Sequence, residues 1–141
     1  MYATAEAVYS LCKLITEVEL PGPEVEGFIT KAQARIDARL RKHYRVPLNE
    51  PVPAIIASIA ADMAAAMVLD KVYSDRQPNQ TTLSDVYRKR AEADLDRVIE
   101  EGLLDGLPGV VKIEPPAPAV RPALATTTPK KSPLEEALAR W

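Results

Sequence analysis

The chain has one cysteine, one histidine, one tryptophan and one phenylalanine in 141 residues. A lone thiol, Cys12, leaves no intrachain disulfide and points to a reducing compartment. His43 has no second histidine or cysteine at ligand spacing, which argues against a zinc site. The phosphate-cradling patterns G-x-x-x-x-G-K-[ST] and G-x-G-x-x-G do not occur. No serine is framed as a nucleophile elbow. Asp94 with Asp96, and Glu100 with Glu101, fall on what the pattern predicts to be an exposed helix face. The residues therefore offer no catalytic, metal or cofactor constellation, and a non-enzyme is expected. No apolar run reaches transmembrane length. MYATAEAVYS has no basic start followed by an apolar stretch, so it does not read as a signal peptide. A soluble cytoplasmic product without membrane contact is the expectation.

Alanine fills much of the apolar fraction. It buries little area per residue, so the core should be thin and its helices close together, with stability completed by partners. The net charge of -2 is wrong for a strongly basic nucleic-acid binder. Its distribution is uneven: residues 1–111 hold 13 basic and 17 acidic residues, and residues 112–141 hold 5 basic and 3 acidic.

Helical signals follow one another along residues 1–111. Thr4 caps a short helix, with Glu6 in its first turn and Ala5, Val8, Leu11 and Cys12 on one stripe. Cys12 reads as a small core residue. Pro23 is placed at the first position of a second helix, with Glu24 and Glu26 behind it. Val25, Phe28, Ile29, Ala32, Ile36 and Leu40 recur at steps of three and four, predicting a helix to about His43 or Tyr44. Prolines push Val46, Glu50 and Val52 out of the α region, making VPLNEPVP a stiff connector. Pro53 then opens a third helix. Its alanines make it apolar nearly all round, as suits a helix surrounded by others. Asp62 is the odd charge there, and an ion pair with Arg35 or Arg39 is expected. After the polar loop SDRQPNQTTLSD, Thr82 and Asp85 resemble a capping box. A fourth helix follows with Leu83, Val86, Tyr87, Ala91, Leu95, Val98 and Ile99 inward and Gly102 as its C-cap.

Beyond residue 111 the composition changes. Six prolines between Pro115 and Pro133 predict an extended arm without a core of its own, with a reach of roughly 60 Å. SPLEEALARW then reads as a last short helix. Ser132 caps it, Pro133 sits first, and Leu134, Leu138 and Trp141 share a side. Such a helix is unstable alone in water and reads as a docking peptide, with Arg140 beside the apolar stripe. The expected fold is all-α: about four helices over residues 1–111, and a Pro-rich arm with a terminal helix over 112–141.

The stretch RLRKHYRVPLNEPVPAII brings Arg39, Arg41, Lys42, His43 and Arg45 together. Phosphate binding uses such residues, yet cations are also favoured at a helix C-terminus by the dipole. One open alternative is thus a small DNA-binding or regulatory module built on residues 39–45.

The block AQARIDARLRKHYRVPLNEPVPAIIASIAADMAAAMVL resembles the small all-helical head–tail connector, or adaptor, proteins of tailed bacteriophages, those of the Mu-like neck group in particular. The matching features are the opening MYAT, the pattern ID..L...Y.VPL, the PVP before the next helix and the IAADMA within it. The resemblance covers roughly residues 1–104. It implies a non-enzymatic virion protein at the head–tail interface, in an oligomeric ring typically of twelve subunits. That ring would lie beneath the portal, contact the next neck or tail-completion protein, and enclose the channel through which DNA passes. On this reading Leu134, Leu138, Arg140 and Trp141 meet the portal or a neighbouring subunit, and Arg39, Arg41, Lys42 and Arg45 face the channel or a partner.

Overall fold

The structure, a computed structural model, describes residues 1–12, 15–73 and 81–113. They form four helices: α1 (Ala5–Leu11), α2 (Gly22–Leu40), α3 (Ala54–Tyr73) and α4 (Thr81–Glu101). Among the described residues there is no strand, only one isolated antiparallel bridge between Tyr44 and Lys112.

Local chemistry sets most of the helix ends. Thr4 is extended, and its Oγ1 accepts the Ala7 N–H at 3.2 Å, satisfying one orphan donor of α1. At the other end of α1, the Tyr87 hydroxyl donates to the Leu11 carbonyl at 2.9 Å. The Tyr9 hydroxyl closes the α1–α2 connection by donating to the Leu20 carbonyl at 2.6 Å. α2 begins at Gly22, one residue before the expected start, so Pro23 is its second residue. It ends at Leu40 rather than at His43 or Tyr44, because the chain turns there to bring Tyr44 inward. α4 ends where Gly102 takes φ +63°, and the Leu103 N–H reaches back to the Val98 carbonyl at 3.2 Å. The Thr82 side chain, the 74–80 loop and the arm from residue 114 lie outside the described residues.

α3 is the centre. α4 packs on it most extensively, then α2, then α1. Its buried residues include Ile56, Ile59, Ala60, Ala64, Ala65, Val68 and Leu69. The alanines leave room for close approach, and fully buried Ala91 faces them from α4. From α2 come Val25, Ile29, Ala32, Ile36 and Leu40, all fully buried. Val8 and Cys12 are buried from α1. The Cys12 thiol donates to the Ala65 carbonyl at 3.8 Å, and burial pushes its pKa up to about 11. On α4, Ala91, Leu95 and Val98 face inward as expected, but Leu83 and Val86 are exposed. The buried stripe at that end passes through Ser84 instead.

Asp62 does not pair with α2 as expected. Its partner is neither Arg35 nor Arg39 but Arg90 of α4, whose Nε and Nη2 donate to the carboxylate at 2.8 and 2.5 Å. Asp62 projects into the α3–α4 contact, whereas Arg39 is taken by Asp96. Arg90 is half exposed, stacks 5.0 Å from the Tyr87 ring, and is held firmly cationic by its bonds to Asp62.

Candidate partner-binding surfaces

The connector between α2 and α3 is tied from two sides. The Tyr2 hydroxyl donates to Asp37 of α2 and accepts the Leu48 N–H at 2.8 Å, fastening the N-terminus, α2 and the connector together. Burial pushes the Tyr2 hydroxyl pKa upward. Burial also raises that of Asp37, against the lowering effect of the Tyr2 bond. On the other side, the segment after α4 folds back. Arg45 N–H donates to Val111 at 2.8 Å, and Ile113 N–H donates to His43 at 2.9 Å. Tyr44, 2% exposed, donates its hydroxyl to Asp105 at 2.6 Å; Lys112 reaches the same carboxylate at 3.1 Å. Burial and the Asp105 bond lift the Tyr44 pKa to about 12. The Tyr44 and Lys112 bonds lower that of Asp105. Asn49 donates to the Gly109 carbonyl at 3.3 Å.

These contacts explain the pattern ID..L...Y.VPL in physical terms. Ile36, Leu40 and Leu48 are core, Asp37 receives Tyr2, and Tyr44 receives the returning chain. The pattern describes how the connector is held, not a reactive centre. Sequence reasoning missed Tyr2 and Asp105 as partners, because the first contact spans 35 residues and the second 61.

The basic cluster divides. Arg39 pairs with Asp96 across the α2–α4 gap. Arg41, Lys42 and Arg45 are exposed and, among the described residues, make no side-chain ion pair. All four cations are exposed, and Arg39 differs from the others in sharing its charge with Asp96. Leu134, Leu138, Arg140 and Trp141 lie outside the described residues.

Two open concavities lie among the described residues. One, of about 440 Å³, runs between α2 and α4 over α3. Met63, Ala66 and Met67 floor it, Arg35 and Arg39 form one wall, and Arg88, Glu92 and Leu95 form the other. The second, of about 350 Å³, is apolar and lies between Pro51–Ile55 and Leu107–Pro108. Leu103, Leu107, Val111 and Ile113 are exposed along the returning segment. No helix among the described residues is long and apolar enough to cross a membrane, and none of the described residues form a cluster fit for a metal ion.

No curated protein and no solved structure matches this chain. The family model described as Bacteriophage Mu, Gp36 matches residues 3–107, from the residue after Tyr2 to the start of the returning segment. The match spans all four helices and the tied connector, well over half of the chain, and on it the chain belongs to the Bacteriophage Mu Gp36 family.

Proposed function

We propose that this protein is a structural, non-enzymatic component of the virion neck. In this reading it is a head–tail adaptor that assembles as an oligomeric ring, of about twelve copies, beneath the portal. The ring joins the capsid to the next neck or tail-completion protein and surrounds the path of the packaged DNA. The observation that carries the reading is the family match across the whole helical body. The physical character of that body supports it. Its tyrosine–aspartate contacts hold a connector in place, and its grooves are open to solvent, as befits a building block.

The test is co-sedimentation with the purified cognate portal, comparing the full chain with one ending at Glu114. Stoichiometric binding by the full chain alone supports the adaptor and makes the arm, with Leu134, Leu138, Arg140 and Trp141, necessary for it. Binding by both chains supports the adaptor and moves the interface to the helical body. Binding by neither refutes the adaptor.

The unpaired Arg41, Lys42 and Arg45 favour a second reading, in which these cations meet DNA directly. It requires duplex binding that weakens steeply with salt. Indifference to DNA at low salt rejects it.

A further inference from the structure

We infer that the groove between α2 and α4 is the seat for residues 132–141 of a second copy of this chain. The inference rests on the adaptor reading only for the ring it would close; the docking itself is argued from the groove and the segment.

Three features fit. The first is shape. Met63 and Met67 floor an open trough between two helices. Flexible thioether side chains adapt to an incoming apolar face. Leu134, Leu138 and Trp141 stand at i, i+4 and i+7, the spacing with which an amphipathic helix anchors in a groove.

The second is charge. Arg35 on the α2 wall and Glu92 on the α4 wall have no hydrogen-bond or ion-pair partner among the described residues. At helical spacing, the segment would carry Glu135 on one side of its apolar stripe and Arg140 on the other. Each unpartnered wall charge thereby meets its opposite.

The third is reach, which selects the copy. The described chain leaves at Ile113, paired with His43, about one helical turn beyond Arg39 at the groove rim. A few residues would cover that gap. Residues 114–131, rich in proline, span about 56 Å when extended. A body of this size is about 35 Å across. A spacer of that length can reach the groove of an adjacent copy, whereas return to its own groove would leave most of it as slack. Each copy would give its segment to one neighbour and receive one from the other, a head-to-tail contact that closes into a ring.

Trp141 is the only tryptophan, so its fluorescence reports the segment. The experiment follows Trp141 emission and acrylamide quenching in the full chain as concentration rises, alongside sedimentation velocity. The expected result is a blue shift and falling quenching that track self-association. Met67→Glu should weaken that association about tenfold. Arg35→Glu, at an exposed position, should weaken it about threefold, and adding Glu135→Arg should restore it. Far-UV circular dichroism checks that both groove variants keep their helices; the surface charge swap carries the test if Met67→Glu does not. Quenching that stays high at all concentrations overturns the inference. So does protection that survives in both groove variants. Protection independent of concentration also overturns it, by placing the segment in its own groove. Portal co-sedimentation of the full chain separates the two ideas: binding with an exposed Trp141 sinks the docking alone, and a protected Trp141 without portal binding sinks the adaptor alone.

Discussion

Asp62, buried in the middle of α3, is held bidentately by Arg90, which reaches it from the solvent side of α4. A second ion pair between these two helices, Arg88 with Asp70, is part-exposed on both sides, so Asp62 is the buried carboxylate of the most extensive helix–helix interface. Removing only the cation leaves a carboxylate that is 2% exposed without its partner. Arg90→Met is expected to cost about 3 kcal/mol, measured by urea denaturation. The double change Asp62→Leu with Arg90→Met should recover most of it, since an apolar pair of similar volume has no charge to desolvate. A single-variant loss below about 0.5 kcal/mol would mean that water reaches Asp62 and does the work of Arg90.

Tyr2 gives a second test. Tyr2→Phe keeps the ring but takes away the acceptor for the buried Leu48 N–H and the donor to Asp37. The expected cost is about 1–3 kcal/mol. The Tyr2 bond works against the burial that raises Asp37, so in the variant the Asp37 pKa should climb further. A group with a raised folded pKa contributes stability at low pH and loses it as pH rises through that pKa. The deficit of Tyr2→Phe should therefore shrink as pH falls through the carboxylate range. Carbon-detected NMR titration of Asp37, with denaturation at each pH, measures both effects.

Tyr44 sets a limit on the alkaline side. Its pKa rises from the usual 10 to about 12 in the folded protein. The stability linked to this shift is complete below pH 10 and is lost between pH 10 and 12. Tyr44→Phe should flatten the fall in stability over that window. It should not abolish the fall, because the Tyr2 hydroxyl is also raised. Asp105 acts in the opposite direction: its lowered pKa contributes stability above the ordinary carboxylate range, lost as pH falls through the folded value. Asp105→Asn should remove that acid-side slope.

Cys12 should be chemically quiet. With its pKa pushed up to about 11, its thiolate fraction at neutral pH is about a hundredfold below that of an ordinary thiol. Burial blocks access as well. Alkylation by iodoacetamide should be at least that much slower in the native protein than in urea. Equal rates would mean that α1 opens freely.

The helices were legible in the sequence because their signals are local. Thr4 caps α1, three- and four-residue steps set the inner face of α2, alanine makes α3 central, and Gly102 ends α4. The contacts that hold the connector were not legible, since Tyr2–Asp37 and Tyr44–Asp105 join residues far apart in the chain. Asp62 shows the same limit: its need for a cation was readable, but the choice of Arg90 over Arg35 depends on how α4 lies against α3. Leu83 and Val86 fit a helical stripe yet remain exposed, because the buried line at that end of α4 runs through Ser84. The α2–α4 groove follows from two helices sharing α3 while standing apart, a relationship with no local signal.

The pairing of residues 111–113 with 43–45 also decides where mechanical load goes. A pull on the chain beyond Ile113 meets the His43–Ile113 and Arg45–Val111 bonds first, and the Tyr44–Asp105–Lys112 cluster behind them. Tension is delivered to the end of α2 and the proline connector rather than to α4, the helix that precedes the pull in sequence. The connector is the part that Tyr2 and Asp37 brace from the other side, so the traction point coincides with a joint tied on both flanks.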